Sequence, residues 1–133
     1  MLMNGLNKNS TDFKQMSDKI DRISDLNALK RIAKNDSDYR IRIRAVARIS
    51  DDSFLYEISK SDSNRKVRIA AVANITNSDY LKSIAQGHAD CHVRAAAIEK
   101  INDKNVLERI AQNDSNKRVK KTALKKIKNI MQQ

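Results

Sequence analysis

From residue 24 to residue 127 the apolar positions of this 133-residue chain return every 26 residues, with no insertion. Counting blocks from Ser24, Ser50, Thr76 and Asn102, block position 6 is Leu29, Leu55, Leu81 and Leu107, and position 9 is Ile32, Ile58, Ile84 and Ile110. Position 22 is Ala45, Ala71, Ala97 and Ala123, and position 26 is Ile49, Ile75, Ile101 and Ile127. Apolar residues fill positions 6, 9 and 10, with Ser59 the exception at position 10, and then 18, 22, 23 and 26. Those spacings belong to the 3.6-residue period of a helix, not to the alternation of a strand. Each block therefore predicts two helices, at about positions 3–11 and 15–26, the second near 18 Å long at ~1.5 Å per residue.

Asp at position 2 (Asp25, Asp51, Asp103) and at position 13 (Asp36, Asp62, Asp114) stands beside Ser or Asn, where side-chain oxygens can satisfy the free N–H groups of a helix start. A short helix with one apolar stripe is not stable alone, so successive blocks must stack and bury their stripes on one another. The period also suits leucine-rich repeats, but no block contains their Leu-x-x-Leu-x-Leu strand. Ahead of the first block, Phe13, Met16, Ile20 and Ile23 keep helical spacing and predict a capping helix over 12–23, after a flexible N-terminus at 1–11. One domain over 12–133 follows, with blocks 24–49, 50–75, 76–101 and 102–127 and a C-terminal helix extension over 128–133. In the last block position 20, elsewhere Ile43, Ile69 and Ala95, becomes Lys121, as suits a terminal unit. The fold class expected is all-α, a solenoid of four 26-residue helix pairs with an N-terminal capping helix.

Composition narrows this only a little. Two Gly and no Pro disfavour a turn-rich all-β fold and a Gly-rich phosphate loop. The longest apolar run, Ile69 to Ala73, is too short to span a bilayer, and the start MLMNGLNKNS lacks the apolar stretch of a signal peptide. A single Cys91 cannot form an internal disulfide, so a cytoplasmic, reducing setting is expected. The formal net charge of +11 bears on partners and solubility.

The second helix of a block carries Asp, four residues, Val/Ile-Arg, two residues, Ala. The instances are Asp36 with Ile41-Arg42 and Ala45, Asp62 with Val67-Arg68 and Ala71, and Asp114 with Val119-Lys120 and Ala123. This resembles the HEAT-like repeat, in the short form of phycobilisome-lyase-type proteins and of the leucine-rich repeat variant. The resemblance covers residues 24–127. It implies a right-handed superhelix whose second helices line the concave side, with an Asp–Arg ladder between blocks formed by Asp36, Arg42, Asp62, Arg68, Arg94, Asp114 and Lys120. The blocks are shorter than ordinary HEAT units, and the third has His88 in the place of the Asp, which implies an interruption of the ladder there. Such arrays serve as adaptors, enzyme subunits and nucleic-acid binders alike.

Positions 17, 21 and 25 lie on a flank of the second helix that the apolar stripe does not use. They hold Arg40, Arg44 and Arg48; Lys66, Ala70 and Asn74; His92, Ala96 and Lys100; and Arg118, Thr122 and Lys126. None is acidic, and ten of the thirteen acids between 24 and 127 fall in expected turns, so one side of the molecule is basic. Like charges on successive turns repel, which suggests that Arg40, Arg44 and Arg48 give the free protein nothing. The cluster His88, Asp90, Cys91 and His92 matches no standard zinc spacing, and no metal site or cofactor is expected there. No HExxH or Ser-His-Asp constellation occurs, and the carboxylate pair Asp51-Asp52 sits at a helix start where capping explains it.

The sequence thus points to a monomeric, non-catalytic scaffold that binds an acidic protein partner through a basic concave face, with no membrane contact. The expected partner-binding residues are Arg40, Arg44, Arg48, Lys66, His92, Lys100, Arg118 and Lys126. Two alternatives stay open, sequence-independent nucleic-acid binding through phosphate contacts on the same face and an accessory subunit of a lyase-type enzyme.

Overall fold

The computed structural model describes residues 10–133, and the described residues are helical throughout, without strands. A first helix, α1 (Ser10–Arg22), precedes α2 (Leu26–Asn35), α3 (Tyr39–Val46), α4 (Asp52–Ser61), α5 (Arg65–Asn74), α6 (Ser78–Gly87), α7 (Cys91–Ile98), α8 (Lys104–Asn113) and α9 (Lys117–Met131). Helix α1 starts two residues ahead of the expected capping helix. The rest of the expected flexible N-terminus lies outside the described residues.

Position 2 of every block is an N-cap. Asp25, Asp51, Asn77 and Asp103 each accept from an N–H of the first turn that follows. Position 13 differs from expectation. The N-caps of the second helices are Asp38, Asn64, Asp90 and Asn116 at position 15. Asp36, Asp62 and Asp114 instead close the preceding helix, and their carboxylates accept from the N–H two residues on. An Asp placed two residues before a cap bends the chain through this local ring, so one pair of polar residues both ends one helix and starts the next.

Helix α2 packs on α3, α4 on α5, α6 on α7 and α8 on α9. The second helices also pack in series, α1 on α3, α3 on α5, α5 on α7 and α7 on α9, whereas contact between successive first helices is slight. The core runs along these junctions. Leu29, Leu55, Leu81 and Leu107 are buried, and Ala45, Ala71, Ala97 and Ala123 are wholly inaccessible. A methyl is all that the closest approach of two helices leaves room for. Ile58, Ile84 and Ile110 are buried, but Ile32 is only half-buried, contrary to expectation, since among the described helices α2 has no first helix on its outer side.

Candidate binding face

Two sets of polar contacts tie each helix pair to the next. In the inner set Arg42 donates through Nε and Nη2 to both oxygens of Asp62 (2.9 and 3.0 Å) and through Nη1 to the Asp36 carbonyl (2.8 Å). Arg94 repeats this with Asp114 (2.9 and 3.0 Å) and the His88 carbonyl (2.7 Å). The ladder therefore runs from position 19 of one pair to position 13 of the next. Both partners are largely buried, and such a bidentate pair fixes register as well as charge.

At the junction of α4–α5 with α6–α7 the ladder continues where an interruption was expected. His88 cannot accept from a guanidinium there, and Arg68 reaches Asp90 instead (2.8 Å), while Arg65 takes the same oxygen (2.8 Å). His88 accepts the Asp90 N–H at Nδ1 (2.9 Å), which leaves Nε2 as the donor to the Ser59 carbonyl (2.7 Å). Burial raises the Asp90 pKa, but the hydrogen bonds from Arg65 and Arg68 outweigh it and hold the carboxyl below the ordinary range. The ends of the ladder also differ from expectation. Among the described residues the Asp36 carboxylate receives no guanidinium, because Met16 stands one period before Arg42, and Lys120 makes no ion pair.

The outer set joins position 7 to position 2 of the next pair: Lys30 to Asp51 (2.7 Å) and Lys82 to Asp103 (3.2 Å). Between them the pattern changes again, with Tyr56 stacked on Tyr80 at 4.6 Å and its hydroxyl 3.1 Å from that of Ser83.

The basic flank divides in two. Position 25 belongs to the fold. Arg48 donates to the carbonyls of Ile20 and Ile23, and Asn74 to those of Val46, Ala47 and Ile49. Lys100 donates to Val72, Ala73 and Ile75, and Lys126 to Glu99. Each side chain covers the free carbonyls at the C-terminus of the preceding second helix, where a donor is worth most and a cation also meets the helix dipole. In the second pair the donor is the neutral Asn74, a sign in the sequence that a donor rather than a charge is required. Arg44 is likewise engaged, with Asp21 at 3.1 Å. The expectation that the free protein gains nothing from Arg40, Arg44 and Arg48 is therefore corrected.

Position 17 is less uniformly engaged than position 25. Arg40 holds Asp38 (2.8 Å) and lies over the Phe13 ring, Lys66 lies 5.8 Å from the Tyr39 ring, and Arg118 makes no ion pair among the described residues. Beside this row Ala70, Ala96 and Thr122 keep the helix surfaces low. Between α7 and α9 Ala96 and Thr122 flank a hollow of about 300 Å³, lined by Ile69, Cys91, His92, Ala95, Glu99 and Arg118 among others.

Asp90, Cys91 and His92 also offer three metal-ligand atoms within 4.8 Å of one another. Cys91 Sγ lies 3.6 Å from His92 Nδ1, but the Asp90 oxygens already serve Arg65, Arg68 and the His92 N–H. Both guanidinium groups hold Asp90 Oδ2 and the His92 N–H holds Oδ1, which makes this cluster part of the ladder first. Among the described residues no helix is long and apolar enough to cross a membrane. No family model, no curated protein and no solved structure matches the chain.

Proposed function

We propose that the chain is a non-catalytic scaffold of HEAT-like repeats, and that it binds an acidic protein partner along the face of α3, α5, α7 and α9. In this reading the four helix pairs and α1 form a right-handed solenoid. Its curvature is supported by the packing: second helices touch in series while first helices hardly do, so the second helices lie on the inner, concave side. The hand comes from the resemblance of the Asp-x4-Val/Ile-Arg motif.

The observation that carries the partner chemistry is the position-17 row. Arg40, Lys66, His92 and Arg118 recur once per pair; His92 and Arg118 line a partly apolar hollow, and among the described residues Lys66, over the Tyr39 ring of the preceding pair, and Arg118 make no ion pair. Cations next to apolar depressions suit a polypeptide with acidic and apolar side chains better than a bare phosphodiester chain. The reading as accessory subunit of a lyase-type enzyme draws on the resemblance alone.

Nucleic acid is the second reading, favoured by α9, where Lys117, Arg118, Lys120, Lys121, Lys125, Lys126 and Lys128 occur with no acid. The variant Lys66→Glu with Arg118→Glu separates the two, because neither residue makes an ion pair in the fold. A nuclease-treated lysate should still yield an acidic protein on the wild type and none on the variant, with thermal unfolding unchanged. Salt titration against a duplex is the other arm. Loss of two phosphate contacts would lower the slope of log affinity against log salt by about 1.8, and that outcome replaces the protein reading with the nucleic-acid one.

A further inference from the structure

The far side of α9 is a half-interface. Position 23 is Val46, Val72 and Ile98 in the first three pairs, each wholly buried, and Leu124 in the last, 56% exposed. Position 26 follows the same course, from buried Ile49, Ile75 and Ile101 to half-buried Ile127. The cause lies in the neighbours. Helices α3, α5 and α7 each have a following second helix packed on them, while α9 packs on α7 and α8 alone among the described helices. Met131, one heptad beyond Leu124, is 65% exposed on the same side.

The polar half of the junction is open too. In each earlier pair the position-19 arginine takes a carboxylate from the pair that follows, Arg42 from Asp62, Arg68 from Asp90 and Arg94 from Asp114. Lys120 occupies that position in the last pair and makes no such ion pair among the described residues. Around it Lys117, Lys121, Lys125 and Lys128 are exposed. An exposed apolar edge beside a cation whose nearest acid, Asp114, is already held by Arg94 is the surface that three earlier junctions show to be covered by a helix with Asp at its cap.

We propose that this end face, centred on Lys120 and Leu124, is a docking seat for an acidic amphipathic helix of a partner protein. Charge decides the class of occupant. A second copy would bring a net charge of +11 against a lysine-rich face, and repulsion at that separation disfavours it. The occupant needs an apolar stripe to cover Leu124 and Met131 and an Asp at its edge for Lys120. The seat is separate from the concave face and does not depend on a partner binding there.

The test uses the full chain and a synthetic helical peptide, about six turns long at ~3.6 residues per turn, with Leu along one face and Asp on its flanks. A control peptide has every Asp replaced by Asn, and vesicles of phosphatidylserine form a third arm. The acidic peptide should bind and shift amide resonances of α9. Leu124→Gln should weaken it about tenfold, as expected for one buried leucine. Lys120→Gln should weaken it about fivefold, and Lys34→Gln, an exposed cation on α2 outside both faces, not at all. Circular dichroism should show both end-face variants folded, since neither side chain is a core residue. Equal binding of the Asn peptide, indifference to Leu124→Gln, or equal loss on Lys34→Gln would overturn the proposal, and loss on Lys66→Gln without loss on Leu124→Gln would move the peptide to the face of the proposed function and overturn it too. So would self-association abolished by Leu124→Gln, which makes the occupant a second copy, or capture by vesicles without binding of the peptide.

Discussion

The middle junction of the molecule and its two neighbours solve one packing problem with different chemistry. Between the first two helix pairs, and between the last two, an arginine meets Asp at position 13 and a lysine meets Asp at position 2. Between α4–α5 and α6–α7 the arginine meets Asp90 at position 15, and two stacked tyrosines replace the lysine pair. A guanidinium wedged between helices cannot go without a carboxylate, so with His88 at position 13 the acid has to come from two residues away. The substitution leaves a trace. Arg42 and Arg94 use Nε, Nη1 and Nη2, whereas Arg68 Nε is the buried side-chain polar atom that has no partner among the described residues. The same exchange accounts for a detail of composition. Where Asp62 and Asp114 take the arginine, position 15 is the neutral Asn64 or Asn116, and where it is Asp90, position 13 is His88 rather than a second acid.

The sharpest way to break this comparison is Asp90→Ala. It strands Arg68, largely buried, together with Arg65, and should destabilise by about 3 kcal/mol in urea unfolding. Converting the junction to its neighbours' chemistry, His88→Asp with Asp90→Asn, should restore stability to within about 1 kcal/mol of wild type, since it gives Arg68 Nε an acceptor and costs the bond to Ser59. If the double variant is no better than Asp90→Ala, the two wirings are not equivalent. Next in size is Ala71→Leu, expected to cost about 1 to 3 kcal/mol by overpacking. Ala45→Leu should cost the same within error, because position 22 is wholly buried at both junctions whatever the polar contacts do.

Acid should separate the junctions more gently. Hydrogen bonding from Lys30, with help from the Phe54 N–H, lowers the Asp51 pKa from 3.8 to about 2. A carboxylate depressed in the folded state stabilises fully above its unfolded value and loses that contribution as pH falls through the folded one. The Asp51 share should thus fade between about pH 4 and pH 2. Asp51→Asn should flatten the urea midpoint in that window, by a modest amount because the pair is part-exposed. The smallest contrast is within the basic flank. Lys100→Ala uncovers the carbonyls at the end of α5 and should lower stability by about 1 kcal/mol, while Lys66→Gln should stay within about 0.5 kcal/mol of wild type. Equal effects would erase the division of that flank into structural and free cations.

What the sequence determined by itself is everything that a helix decides locally. The 26-residue period, the two helices per block, the caps at position 2 and the burial of Leu55 and Ala71 all follow from spacing within one block, because helix contacts join residues three or four apart. What the tertiary structure alone decided is where the polar groups find partners. Asp62 and Asp114 were legible from spacing as helix-start caps and only through the resemblance as ladder acids, while their pairing with Arg42 and Arg94 of the preceding blocks came from the structure. Asp90 could not be seen to replace His88 in that role. The donors Arg48, Lys100 and Lys126 looked free because their acceptors, carbonyls one block upstream, leave no mark on side-chain identity. Leu124 was one more apolar residue in register, and its exposure depends on a neighbour that α9 lacks among the described helices. A linear pattern reports which face of a helix is apolar, but the partner of a charged side chain is set by how helices from different blocks are brought side by side.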